Sequence, residues 1–84
     1  MTDAQVSEFH GLATRMWSDA DSLRLMGYSY AATAAKEMMT RGEDAEPSRS
    51  IIVRSAMYMA SAVQAYKDFE DFCKWLKEHD RPIA

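Results

Sequence analysis

The fold is decided by the final third of the chain, where residues 48–79 read SRSIIVRSAMYMASAVQAYKDFEDFCKWLKEH. This stretch contains neither glycine nor proline, and the next residue able to end a helix is Pro82. Apolar side chains recur in it at steps of three and four residues, the spacing of one face of an α-helix. Ser48 or Ser50 can cap the first turn. The sequence therefore predicts one long helix over about residues 48–79, followed by a short tail.

The two halves of this long helix differ in how much of their surface is apolar. The predicted inward stripe consists of Ile52, Ser55 or Ala56, Met59, Ala62 or Val63, Tyr66, Phe69, Cys73 and Leu76. In the first half, apolar residues reach nearly every side of the helix, whereas charged residues occupy the outer side of the second half. A helix that is apolar all round is covered on more than one side. We therefore expect the first half to contact a second chain as well as its own.

The chain begins with another predicted helix. Thr2 and Gln5 have the spacing of a capping box, which places the helix start at about Asp3. Apolar side chains then step by three and four residues from Val6 to Leu23 without a fault. This pattern predicts an amphipathic helix with one continuous apolar stripe.

Gly27 is the strongest interruption of the helical pattern before residue 42. The periodicity continues beyond the glycine, and we interpret it as shifted in register. We expect a break here, with one helix over about residues 3–26 and a second over about residues 29–41. A single helix kinked at the glycine is the alternative.

A polar segment separates this region from the long helix. Residues 42–47 read GEDAEP and are predicted to form a loop, because they contain no periodic apolar residue and are bounded by glycine and proline. The loop holds Glu43, Asp44 and Glu46. These three acidic residues account for the net charge of −3, since the rest of the chain is neutral.

Together these elements predict an all-α fold, with residues 1–84 forming a single domain. It is either a helical hairpin or a three-helix arrangement with one long C-terminal helix. Apolar residues make up 48% of the chain, and a bundle of this size buries only part of its surface. We therefore expect oligomerisation to complete the fold, as a homodimer or a higher oligomer; a compact monomeric three-helix bundle is the alternative. The predicted interface comprises Ile51, Ile52, Tyr58, Met59, Met38, Met39 and Tyr30.

Several classes of function receive no support from the sequence. Cys73, His10 and His79 lack the short spacings of a zinc site, so no metal site is predicted. The sequence contains no convincing combination of a nucleophile with a base, and it contains no glycine-rich phosphate loop. We therefore predict no catalytic residue, no enzymatic activity and no cofactor. No signal peptide or membrane-length apolar run is recognised, which predicts a cytoplasmic protein with no membrane association. The net negative charge makes nucleic acid an unfavourable partner.

The start of the long helix is a candidate site for an anionic small molecule. Ser48, Arg49 and Ser50 place two hydroxyl groups, backbone N–H groups and a guanidinium at the positive end of the helix dipole, and Arg54 follows one turn later. Such groups can bind a phosphate or a nucleotide. The alternative is that the serines cap the helix and the arginines pair with the acidic residues of the preceding loop.

Pro47, Ser48 and Arg49 form a turn ahead of a long final helix. This layout resembles that of small phage-encoded helical proteins that sequester cyclic nucleotide signals. The resemblance covers these three residues, and we assign no binding residue from it.

Two functions are predicted from these observations. The first is a small non-enzymatic interaction protein that binds itself and another protein, which it regulates or inhibits. The methionine and tyrosine residues of the two helices favour this prediction, because such side chains can form an adaptable apolar surface for a partner. The alternative is an oligomeric binder or sequesterer of an anionic small molecule, such as a nucleotide, at the N-terminus of the long helix.

Overall fold

The computed structural model of this chain describes residues 1–42 and 49–79, which form a hairpin of two helices. Helix α1 spans Asp3–Arg41 and helix α2 spans Arg49–His79. The helices pack antiparallel into a rod with dimensions of 66 × 16 × 15 Å. The all-α prediction is confirmed, and the helical hairpin is the arrangement observed. The predicted loop after Gly42 and the predicted tail 80–84 lie outside the described residues.

The boundaries of α1 follow from local chemistry. The backbone N–H of Thr2 donates to Gln5 Oε1 at 2.9 Å, and the backbone N–H of Gln5 donates to the Thr2 hydroxyl oxygen at 3.2 Å. These reciprocal hydrogen bonds form the predicted capping box and satisfy two donors at the helix start. At the other end, Gly42 has a φ angle of 108°, which glycine adopts without the strain that a side chain would cause.

The break predicted at Gly27 does not occur, because α1 continues through this residue without interruption. Gly27 is buried against α2, and a Cβ atom at this position would lie 3.0 Å from both Cγ and Sδ of Met59. Its carbonyl oxygen accepts a hydrogen bond from the Ser55 hydroxyl at 3.1 Å. The glycine therefore permits the close approach of α2, and it does not form a turn.

The contact register of α1 explains why the helix is continuous. Buried or half-buried residues step by three and four from Val6 to Glu37, so the pattern does not shift at the glycine. Every seventh residue along this seam is small, in the order Ala13, Ala20, Gly27 and Ala34. Small side chains at a helix contact allow the two backbones to lie close together. A seven-residue repeat keeps that contact on one face over the length of a helix pair.

Helix α2 presents larger side chains to this seam in the same seven-residue repeat. Its residues at steps of three and four are Ile51, Ser55, Tyr58, Ala62, Ala65, Phe69, Phe72 and Leu76, all buried or half-buried. The predicted stripe is buried or half-buried at most of its positions, but it is wrong at Ile52, which is 48% exposed. At the position predicted as Ala62 or Val63, Ala62 is the buried residue and Val63 is 71% exposed. Because apolar residues surround the first half of α2, periodicity alone did not distinguish its inner face from its neighbours.

The interior of the hairpin is thin. Among the described residues, the buried apolar side chains are Ala13, Ala20, Ala62 and Leu76, and no large side chain is fully buried. Within residues 1–42 and 49–79, thirteen large apolar side chains are exposed. Two helices cover each other along one face only, so the remaining apolar surface stays in contact with solvent.

The close approach at Gly27 predicts that two identical substitutions in α1 differ in effect. Gly11→Ala introduces a Cβ with nothing within 4 Å, so the gain in helix propensity, about 0.5–1 kcal/mol, should appear as added stability. Gly27→Ala should gain less or destabilise, because Met59 has to move. Urea unfolding followed by circular dichroism measures both. An equal gain for the two variants would contradict the close approach.

Candidate functional site

Exposed apolar side chains concentrate in the half of the hairpin nearest the connection between the helices. We define the apolar half as residues 25–39 of α1 and residues 50–66 of α2. Its charged residues are Lys36, Glu37 and Arg54, whereas residues 67–79 contain seven charged residues. Nine of the thirteen exposed large apolar side chains lie in the apolar half, namely Leu25, Met26, Tyr28, Met38, Met39, Ile52, Val53, Met57 and Val63.

One side of the apolar half carries a cleft between the two helices, which we call the alanine cleft. It has a volume of about 390 Å³ and is lined by Ala31, Ala34, Ala35, Met38, Ile52, Ser55 and Ala56. None of these residues is charged. The single polar side chain among them, Ser55, already donates its hydroxyl hydrogen bond to the Gly27 carbonyl. The alanine cleft is therefore suited to apolar side chains from another surface.

A second cleft, the arginine cleft, lies on the opposite side of the hairpin. It has a volume of about 350 Å³ and is lined by Leu23, Arg54, Met57, Tyr58 and Ser61. Ile52 of the alanine cleft and Arg54 are two residues apart on α2, which separates them by roughly 200° around the helix axis. The two sides of the hairpin therefore differ in chemistry, since only the arginine cleft contains a charge.

Two stacked tyrosines position Arg54. The rings of Tyr30 and Tyr58 lie 5.6 Å apart at an interplanar angle of 5°. Arg54 Nη1 donates to the Tyr30 hydroxyl oxygen at 3.5 Å, and its guanidinium carbon lies 6.0 Å from the centroid of the Tyr30 ring. A cation over an aromatic face is held by the ring quadrupole while its remaining donors stay accessible. Arg54 can thus offer hydrogen bonds to an anionic group in the arginine cleft.

The predicted anion site at the start of α2 is only partly assembled among the described residues. Ser48 and the acidic residues of the predicted loop lie outside them. Arg49 and Ser50 are exposed in the first turn of α2. Arg54 contacts Tyr30, one turn away from that helix start. The structure therefore associates Arg54 with Tyr30, whose ring stacks on Tyr58 of the arginine cleft, a contact that the sequence did not predict.

The seven residues predicted for an oligomer interface divide into two groups. Those that are half-buried within the hairpin are Ile51, Tyr58, Met59 and Tyr30. Those that are exposed are Met38, Met39 and Ile52. The first group contributes to packing between α1 and α2, while the second lies on accessible surface.

A polar cluster links the helices at the boundary of the apolar half. Arg24 donates from Nε and Nη2 to Asp21 Oδ1, at 3.0 and 2.7 Å, and the Tyr66 hydroxyl donates to the same oxygen at 3.1 Å. The Arg24 hydrogen bonds, aided by Tyr66 and by the Arg24 charge, hold the pKa of Asp21 below its ordinary value of 3.8, although partial burial opposes them. This cluster fixes which residues of α1 and α2 lie opposite one another.

Aromatic rings close the opposite end of the hairpin. Phe9 of α1 packs edge-on against Phe72 and Trp75 of α2, with centroid distances of 6.2 and 5.8 Å. His79 stacks on Trp75 at 4.4 Å. These contacts tie the start of α1 to the end of α2.

Within residues 1–42 and 49–79, no group of three His, Cys, Asp or Glu side chains is placed to hold a metal ion. Neither described helix combines the length and the apolar character needed to cross a membrane. Comparison of the chain with protein families, curated proteins and solved structures finds no match.

The polar cluster predicts a pH-dependent effect of Asp21→Asn. Since the folded-state pKa of Asp21 is lowered, the carboxylate stabilises the hairpin above its unfolded pKa, and this contribution is lost as pH falls through the folded pKa. The variant should therefore be less stable than wild type at pH 7, with the difference shrinking towards pH 3. Urea unfolding at a series of pH values measures it.

Asp19→Asn is the matched control, because it removes an exposed carboxylate from the same helix. We expect a smaller loss of stability from this variant at pH 7. A difference between Asp21→Asn and wild type that stays constant from pH 7 to pH 3 would contradict the assignment of the cluster.

Proposed function

We propose that this chain is a small non-enzymatic interaction protein that binds another protein through the apolar half and thereby regulates or inhibits it. The observation that carries the proposal is the placement of nine exposed large apolar side chains in a region with three charged residues. Single exposed apolar residues are normal on soluble proteins, but their concentration in one region favours an interaction site. The proposal assigns the apolar half to recognition.

The side-chain types of the apolar half support a protein partner. Four of its nine exposed apolar residues are methionines, whose flexible side chains adapt to a partner surface. The arginine cleft adds tyrosine and arginine, the residue types enriched among those that dominate binding energy at protein interfaces. Its single cation favours a partner that presents an acidic side chain beside apolar ones. An amphipathic helix with one acidic residue opposite Arg54 has these properties.

The surface area of the chain supports the same proposal. The chain exposes 6613 Å², whereas a compact monomer of its mass exposes about 5,000 Å². The excess is roughly 1,600 Å², and a standard interface covers about 800 Å² on each partner. The hairpin therefore exposes enough surface for a contact of standard size.

A second candidate function is the binding of an anionic small molecule in the arginine cleft. The observation in its favour is that Arg54 and Tyr58 line the same cleft, so that a cation and an aromatic ring are available together. A volume of about 350 Å³ lies within the range of small-molecule sites. Stabilisation by a nucleotide in a thermal shift assay, lost in Arg54→Ala, would favour this function over protein binding.

The protein-binding proposal predicts that a charge in the arginine cleft abolishes partner capture. Met57 is 63% exposed, so Met57→Glu should leave the hairpin folded while placing a carboxylate beside Arg54, where it repels the acidic side chain of the partner. We expect co-purification of the partner with tagged full-length chain to fall at least about tenfold. Quantitative mass spectrometry of the captured proteins measures this loss.

Met57→Leu is the matched control, because it keeps an apolar side chain at the same position, and it should retain the partner. Circular dichroism of both variants checks that the hairpin is intact. Capture of the same proteins in equal amounts by Met57→Glu and wild type would show that this side of the apolar half is not the binding surface.

A further inference from the structure

We infer that a second copy of this chain occupies the alanine cleft, so that two hairpins pack into a four-helix assembly. The inference rests on the proposed function in one respect, since both assign the apolar half to binding. It goes further by identifying one occupant for one side of the hairpin. Three properties favour a second copy: the exposed area of the chain, the shape of the alanine cleft and the lack of charge in that cleft.

The exposed area of the chain is large enough for a dimer contact. It exceeds that of a compact monomer by roughly 1,600 Å², whereas each partner of a standard contact buries about 800 Å². Dimerisation through the alanine cleft gives exposed side chains such as Met38 and Ile52 the interior that two helices alone do not provide.

The shape of the alanine cleft side is self-complementary. A two-fold symmetric interface brings the same patch of both copies together, so each patch has to supply both the projecting and the receiving groups. Ala31, Ala35 and Ala56 provide shallow positions, and Met38 and Ile52 project beside them at 41% and 48% exposure. Each copy can therefore insert large side chains where the other has alanine.

The charge distribution also fits a second copy. Identical chains carry identical charges, and like charges placed opposite each other across an interface repel. No charged residue lines the alanine cleft, and Arg54 lies on the opposite side of the hairpin. Ser55, the polar residue of the cleft, is already hydrogen-bonded within the chain, so burial by an apolar partner leaves its hydroxyl satisfied.

Sedimentation velocity of the full chain at about 1–100 µM tests this inference. We expect wild type to be a dimer, and we expect Ala56→Glu to raise the dimer dissociation constant at least about tenfold by burying a charge. Ser61→Glu is the matched control. Ser61 is five residues further along α2 and roughly 140° around the helix from Ala56, on the arginine-cleft side, so this variant should remain dimeric.

Two further measurements keep the test decisive if Ala56→Glu does not fold. Ala35→Glu places the same charge in the cleft from α1 and should have the same effect. The melting temperature of wild type should rise with protein concentration, as it does when unfolding is coupled to dissociation.

The outcomes separate this inference from the proposed function. A wild-type chain that is monomeric at about 100 µM, with a concentration-independent melting temperature, would overturn the second-copy inference. Equal weakening of the dimer by Ala56→Glu and Ser61→Glu would overturn it too, because the contact would not be at the alanine cleft. If the chain is monomeric but still captures its partner, the second-copy inference fails and the proposed function is retained. If the chain forms a dimer that depends on the alanine cleft, but Met57→Glu captures as much partner as wild type, the proposed function fails and the second-copy inference is retained.

Discussion

The close approach of the two helices along the small-residue seam of α1 is the constraint on which the rest of the structure depends. Gly27 lies so near Met59 that a Cβ would be at 3.0 Å from its side chain, and Ala20 is completely buried one heptad earlier. Small residues at every seventh position let the backbones come together, and the constant repeat maintains that contact along both helices. The hairpin is held by this seam, the aromatic cluster at one end and the Asp21 cluster near its middle.

Because the seam is built from small residues, large apolar side chains remain on the surface of the hairpin. Alanine and glycine bury little apolar area, and nine large apolar side chains of the apolar half remain exposed beside the seam. The two sides of that half then differ in character. The alanine cleft is uncharged and shallow, whereas the arginine cleft presents a guanidinium beside stacked tyrosines. This asymmetry is the basis for proposing one surface for a second copy and another for a different partner.

Local signals in the sequence were sufficient for the start of α1 and the extent of α2, but not for the continuity of α1 through Gly27 or for the contact register. The Thr2 and Gln5 capping box and the long α2 are visible because each depends on neighbouring residues. Gly27 is ambiguous locally, since glycine both weakens a helix and permits close packing, and the deciding residue, Met59, is on the other helix. The seven-residue spacing of Ala13, Ala20, Gly27 and Ala34 was the available signal for an unbroken helix. The Asp21 contact with Tyr66 required the interhelical register, which the sequence pattern of α2 left open.

The central claim is that α1 is one unbroken helix that packs along α2 as an extended hairpin. Small-angle X-ray scattering of the full chain tests this most directly, because an extended hairpin and a compact bundle differ greatly in size. The structure has a radius of gyration of 18.9 Å over its Cα atoms, and side-by-side packing of two hairpins increases that value only slightly. We predict a measured radius of about 19 Å or somewhat more. A value near 12 Å, which is expected for a compact monomer of 84 residues, would contradict the hairpin.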